Sequence, residues 1–398
     1  MQDLERLYKE LVFENASIWY IADEYGSKIM VKAPSNVIKA IINGCKVIFL
    51  FGKDTQADKI FFHTGIRIYD DKVNYISITG AHRFIQEHKS LQTIMQKDTT
   101  VIELYYELGV CTAIADVVFN ENDKSRILKM LGNIEDLYSG EFTKEVISSL
   151  DSFDYTLDKS NGGLNVREIE TLLIEGQFSE WKITKSYFIG LNEVNEIHIN
   201  DQDEGGTLEK QIWASLESIF DYNLFKNPKI IINNKERELT DILAFYDKGV
   251  FLIESKALAV ISLENEKSMD RKVSNIKKQI KKGIKQLVGA KNSIDTGIDI
   301  YDSKNNIIMF GKKIIPHCIV LVSELLPFGD WEEIENEMMI VVTKKRIFLH
   351  VMDLLEFIKY IKVSSGKKEY LDYYLIKRSE SFAQHKNLFI KANFIKNN

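Results

Sequence analysis

Proline and cysteine are scarce in this chain of 398 residues, which holds four of the first and three of the second. So few prolines beside 45% apolar residues exclude a low-complexity chain and fit two or three packed domains. Cys45, Cys111 and Cys318 lie far apart with no Cys-x-x-Cys pair. That excludes a disulfide scaffold and a structural zinc site, and implies a reducing cytoplasm. The seven histidines include no two at zincin spacing and read as ordinary surface or core residues. Gly52-Lys53, Gly311-Lys312 and Gly366-Lys367 lack the earlier glycine of a P-loop, since Val47, Asn306 and Ile361 stand there. No dinucleotide fingerprint or Gly-x-Ser-x-Gly elbow occurs. The chain also lacks a basic-then-apolar start and any run near the roughly 18 apolar residues of a membrane span. The expectation is a cytoplasmic protein with no membrane partner.

What is present is a charged trio in an apolar setting: Asp241, Glu254 and Lys256, within Glu238-Leu-Thr-Asp-Ile-Leu-Ala-Phe-Tyr-Asp-Lys-Gly-Val-Phe-Leu-Ile-Glu-Ser-Lys256. Leu239 to Tyr246 and Val250 to Ala257 read as two strands of a hairpin, with Gly249 expected to supply a positive φ at the turn. Alternation puts Glu254 and Lys256 on one face with Val250 and Leu252. A loop with an even number of residues sets Asp241 opposite Glu254, whereas a three-residue loop pairs Asp241 with Ser255 and separates the charges. Two carboxylates so close repel unless a cation sits between them. Mg²⁺, with Mn²⁺ as its substitute, suits such a pair because it takes only one or two protein carboxylates plus phosphate oxygens. Such an ion polarises a phosphate and lowers the pKa of a bound water. Lys256 is then placed to orient the attacking hydroxide. Glu-x-Lys alone is a common surface tripeptide; its position at the end of an apolar strand is what singles it out.

The flanks supply further groups. A helix is expected from Gly205-Gly206-Thr207 to about Phe220, with Thr207 as N-cap and Glu209 in the first turn. Glu209 there either compensates the helix dipole or reaches the same cation; Glu217 lies too far along to converge. Arg271 to Lys291 reads as a helix with a buried stripe of Val273, Ile276, Ile280, Ile284 and Leu287. The same segment carries eight cations and no acid, in a chain of net charge −6. Concentrated positive charge beside a carboxylate site points to a polyanion, with Arg271, Lys272, Lys278, Lys282 and Lys285 as contacts. The plain alternative is a solvated helix face. Gln279 and Gln286 flank the stripe, and Gln286 is the preferred site residue.

A helix with a glutamate, a strand with Asp241, a strand ending Glu254-Ser255-Lys256 and a helix with glutamines and lysines resemble, in that order, the PD-(D/E)xK nuclease superfamily. The resemblance covers about Gly205 to Asn398, roughly half the chain. It implies a restriction-endonuclease-like fold, with Asp241 and Glu254 as metal ligands and the Ser255 carbonyl assisting. It also implies Lys256 as the catalytic lysine and Glu209 as an accessory acid. Thr240 stands where the superfamily's name has proline. The implied function is a Mg²⁺-dependent endonuclease acting on DNA in preference to RNA, in defence against foreign DNA. A homodimer or higher homo-oligomer would bring two sites together, and a partner protein is a further candidate. A metal-dependent ribonuclease with the same residues, and a nucleic-acid-binding scaffold with a silent site, are the alternatives.

The expected fold class is α/β: a C-terminal mixed sheet flanked by helices over 205–398, preceded by an α+β domain over 1–199. In the N-terminal half, strands are expected at Lys46 to Phe51, Lys59 to Tyr69, Val73 to Ile78 and Val101 to Phe119. Helices are expected at Leu4 to Asn15, His82 to Met95, Glu121 to Leu137, Phe142 to Leu150 and Val166 to Glu175. Asp158 to Asn165 and Asn200 to Gly206 read as soft segments, the second marking the boundary. Further on, Lys229 to Asn233 and Ile314 to Val322 read as strands and Trp331 to Glu337 as a short helix. Met338 to Thr343 and Arg346 to His350 follow as strands, then helices at Asp353 to Ile361 and Glu369 to Ser379.

Overall fold

The computed structural model describes residues 2–24, 26–56, 58–69, 75–160, 165–190, 194–257, 269–326 and 329–390. The chain is mixed α/β and forms two compact units, Met1–Lys185 and Ser186–Asn398. The division precedes the polar Asn200 to Gly206 stretch. Its cause is the strand Val194–His198, which pairs in a ribbon with Lys185–Ile189 and packs on the helix Glu204–Glu217. Among the described residues no helix is long and apolar enough to cross a membrane.

The first unit holds two sheets. One is built on Ser17–Asp23, Gly26–Lys32, Thr100–Tyr105 and Cys111–Val118. The other orders Tyr75–His82, Lys59–Tyr69, Val47–Gln56 and Glu170–Glu175. The last strand corrects the expected helix at Val166 to Glu175. Leu172, Leu173 and Ile174 are too short an apolar run to fix a period, and pairing with Val47–Gln56 decides it. The helix expected to reach Leu137 stops at Leu131, where Gly132 turns to a φ of 67°. Of the soft segment Asp158 to Asn165, residues 161–164 lie outside the described residues.

The second unit is organised by a five-stranded sheet in the order Leu224–Lys226, Ile242–Tyr246, Gly249–Lys256, His317–Val322, Phe348–Asp353. The first three strands pair antiparallel with one another in succession, and the last three pair in parallel, Gly249–Lys256 belonging to both sets. Parallel neighbours need long crossovers. The helices Met269–Asp295 and Glu332–Lys345 serve as these. The second helix corrects the expected split into a short helix and a strand at Met338 to Thr343. Ile334 and Met338, four residues apart, are its buried face, and Ile340 in the β-branched run is exposed.

The basic helix Met269–Asp295 buries Val273, Ile276, Ile280, Ile284 and Leu287, as its apolar period predicts. They pack on Leu243, Val250, Leu252, Cys318 and Val320. Gly283 allows the close approach: a Cβ there would meet Val320 Cγ1 at 2.8 Å. Beside the sheet, Lys229–Ile232 and Lys235–Glu238 form a hairpin through Asn233 and Asn234, whose φ values of 51° and 60° suit a tight reversal. Leu239 to Asp241 then cross from this small sheet to the central one, so the strand begins at Ile242 rather than Leu239.

The other face of the central sheet is aromatic and polar. Phe251 stacks on His317 with ring centroids 5.1 Å apart. His317 bonds Asp372 through Nε2 at 2.7 Å and His350 through Nδ1 at 3.0 Å. The Tyr246 hydroxyl donates to the same Asp372 at 2.7 Å. Burial lowers the pKa of both rings, that of His350 well below 6.5, while the Asp372 carboxylate partly opposes the effect at His317. In the first unit burial pushes His63 down to about 4 and His82 well below 6.5. These rings are neutral when folded and take a proton near pH 6.5 when unfolded. Their contribution to stability is therefore complete above pH 6.5 and lost as pH falls through the folded values. Thermal melting should show a falling midpoint from pH 6.5 towards about 4. A midpoint flat over that range would contradict neutral buried rings.

Candidate functional site

The hairpin Ile242–Tyr246 and Gly249–Lys256 closes with Tyr246 paired to Gly249, leaving the two-residue loop Asp247-Lys248. The loop is even, and the last ladder pair, Ile242 with Ile253, sets Asp241 beside Glu254. Gly249 does not take the expected positive φ. Its role is room, because a Cβ there would meet the Tyr246 ring at 2.3 Å.

Glu254 is 1% exposed and Lys256 9% exposed, both on the face covered by the basic helix. Lys256 Nζ donates to Glu254 Oε2 at 2.7 Å and lies 4.0 Å from Asp241 Oδ2. Asp241 Oδ2 accepts from Ser255 twice, from the backbone N–H at 2.6 Å and from Oγ at 2.8 Å. Burial raises the pKa of Glu254 and the Asp241 charge adds to it, while Lys256 opposes both.

All of these groups but the buried Glu254 line a cleft of about 710 Å³. Asp241, Ser255 and Lys256 meet there with Glu209 on one side and Gln279, Lys282 and Gln286 on the other. The cleft lies beyond the carboxyl end of a central strand, where open α/β sheets commonly bind ligands. Glu209 arrives from the helix Glu204–Glu217. Its N-cap is Asp203, whose carboxylate accepts from Gly206 N at 2.9 Å, so Thr207 is not the cap. Asp203 precedes two glycines that disguise the helix start. Glu204 occupies the first turn, and Glu209 lies a turn beyond the strongest dipole, facing the cleft. Burial and then the Asp241 charge raise its pKa. Glu217 is not among the residues lining the cleft.

Glu238 is the site residue that sequence reasoning missed. It ends the strand Lys235–Glu238, three residues before Asp241. The residue as a whole is exposed, yet desolvation of its carboxyl and then the charge and hydrogen bond of Asp241 push its pKa up to about 7. The signal was present as Glu238-Leu-Thr-Asp241. It was unreadable without the corner that turns the chain between two sheets.

The basic helix divides its charge. Lys277 faces Asp330 at 3.9 Å and lies 6.0 Å from the Trp331 ring centre, while Lys281 pairs with Glu333 and Lys291 with Asp295. Arg271, Lys278, Lys282 and Lys285 form an exposed row on another side, and Lys282 reaches the cleft. Lys272 is half-buried and off that row. Among the described residues, none of Lys278, Lys282 and Lys285 is neutralised by an ion pair. Both glutamines line the cleft, Gln279 as well as the expected Gln286.

Among the described residues no group of three or more His, Cys, Asp or Glu side chains is arranged to hold a metal ion. Asp241 and Glu254 offer a pair instead, with Glu209 and Glu238 near enough for the Asp241 charge to raise the pKa of both. Against that excess of acid the pair's close cation is Lys256. Such a donor set fits a hard divalent ion that needs few protein ligands. Compared with family models, curated proteins and solved structures, the chain matches none.

Replacing Lys256 with Met removes the cation from Glu254 and leaves its burial in place. The Glu254 carboxyl, followed by carbon-13 NMR in metal-free protein, should then titrate at higher pH than in wild type. An unmoved midpoint would show that the pair does not form in solution.

Proposed function

We propose that the second unit is a Mg²⁺-dependent endonuclease that hydrolyses phosphodiester bonds, in DNA before RNA. The observation that carries this reading is that Asp241 and Lys256 line one cleft beside a row of exposed cations, with Glu254 buried behind them and paired to Lys256. The PD-(D/E)xK resemblance of the sequence agrees with it.

Asp241 and Glu254 would hold the ion, which supplies a Lewis acid for the phosphate and a water of lowered pKa. The chain's own groups do the rest. Lys256 Nζ, which lines the cleft beside Glu254, would be placed to donate to a phosphate oxygen or to the attacking water. Gln279 and Gln286 bring amide donors to the same cleft. Lys278, Lys282 and Lys285 attract the nucleic-acid backbone and set its path over the site. A duplex, with one charge per about 1.7 Å of axis, suits such a row best. A symmetric pair of chains would present two sites, one for each strand.

Plasmid DNA incubated with wild type should be cut in Mg²⁺ and left intact in EDTA, and Lys256→Ala should lower the rate by at least about a hundredfold. Asp241→Asn should abolish cutting while keeping or improving DNA affinity, since it removes a negative charge from the phosphate site. Cleavage that survives both EDTA and Lys256→Ala would eliminate the mechanism. RNA of matched sequence in the same assay decides between DNA and RNA.

The cation row has its own test. Lys278→Glu with Lys282→Glu should weaken DNA binding and flatten the slope of log affinity against log salt by about two or more. An unchanged slope would make that face solvated surface.

A further inference from the structure

Two hydroxyls stand at the open end of the hairpin, one on the Asp241 carboxylate and one on the backbone carbonyl just before Glu254. Beyond the last ladder pair, Ile242 with Ile253, the chain turns to other partners. The Asp241 carbonyl accepts from Asn227 N at 2.8 Å, and Leu239 N donates to the Pro228 carbonyl at 2.8 Å. Backbone hydrogen bonds therefore stop holding the two strands together where the carboxylates must stay in register.

Side chains take over there. Ser255 Oγ donates to Asp241 Oδ2 at 2.8 Å, beside its own N–H on the same oxygen. Thr240 Oγ1 donates to the Ile253 carbonyl at 2.7 Å, tying the residue before Asp241 to the residue before Glu254. Thr240 is 1% exposed, so its hydroxyl has no water to exchange for this partner. Asp241 lies next to Thr240 and Glu254 next to Ser255, and the two contacts cross the gap in opposite directions.

We propose that Ser255 and Thr240 are positioning residues: the Ser255 hydroxyl fixes the Asp241 carboxylate directly, and the Thr240 hydroxyl, through the Ile253 carbonyl, fixes the strand end that carries Glu254, so that the two carboxylates keep the orientation that accepts a divalent ion. The inference rests on the metal-dependent reading above and assigns to two neutral side chains the alignment of its ligands. Partners that orient a ligating carboxylate commonly account for about 10–100-fold in metal affinity.

The test compares Ser255→Ala and Thr240→Val with the restoring variants Ser255→Thr and Thr240→Ser. Titration calorimetry with Mn²⁺ alone, in the absence of nucleic acid, gives the metal Kd. Plasmid cleavage against Mg²⁺ concentration gives the activation curve, and thermal melting reports the fold. The expected result is a metal Kd raised at least about tenfold in Ser255→Ala and Thr240→Val. Cleavage should recover in part at saturating Mg²⁺, the melting midpoint should change little, and the hydroxyl-keeping variants should restore affinity. Wild-type affinity in both hydroxyl-free variants would overturn the proposal, as would a lowered melting midpoint with unchanged metal Kd. Wild-type protein that neither binds Mn²⁺ nor cuts would instead remove the metal-dependent reading, and this inference with it.

Discussion

The register of one hairpin governs the candidate site. Pairing Tyr246 with Gly249 leaves two loop residues, and that parity sends Asp241, Glu254 and Lys256 to the same side of the sheet. One residue more or less in the loop would turn the aspartate to the other face. Gly249 protects the parity through space, since the Tyr246 ring occupies the volume a side chain would need. The cluster is costly in isolation: Glu254 is buried, and Lys256 offsets its charge at 2.7 Å. A buried pair of this kind is a poor source of stability, which favours a chemical reason for the charges being there.

The basic helix serves two purposes with one sequence. Its apolar stripe completes the core against the central sheet, and Gly283 lets it lie close enough to do so. Its cations separate by angle. Lys277 and Lys281 spend their charge on Asp330 and Glu333, while Lys278, Lys282 and Lys285 remain on the open side next to the cleft. A surface helix with i, i+4 cations is ordinary. One whose exposed cations adjoin a pocket of carboxylates is less so, because a polyanion can bridge the two.

The parts of this arrangement legible in the sequence were those set by local periodicity. Val273, Ile276, Ile280, Ile284 and Leu287 announce their helix, and the two apolar runs around Asp247-Lys248 announce theirs. The convergence of Asp241 with Glu254 could be stated only as a condition on loop parity, since a single residue decides it. What depended on distant chain was not legible. Glu238 belongs to a different sheet, and only the corner at Leu239 to Asp241 brings it to the site. The sorting of the lysines depends on the helix Glu332–Lys345, whose run Met338 to Thr343 reads as strand by composition. Glu170–Glu175 failed in the opposite direction, as its strand character comes from pairing with Val47–Gln56. Asp203 was hidden as a cap by the two glycines that follow it.

The polar chain behind the sheet bears on the order in which the protein is made. Tyr246 at the hairpin turn and His317 on the next strand both depend on Asp372, which sits in the helix Lys368–His385. A ribosome that has delivered the hairpin and the basic helix has not yet delivered that carboxylate. Until it does, the phenol and the imidazole Nε2 lack that partner, and the sheet has reason to stay loose. A nascent chain would thus carry every group of the cleft for some time before the scaffold tightens around them, a delay suited to a protein whose proposed chemistry is hazardous to the cell that synthesises it.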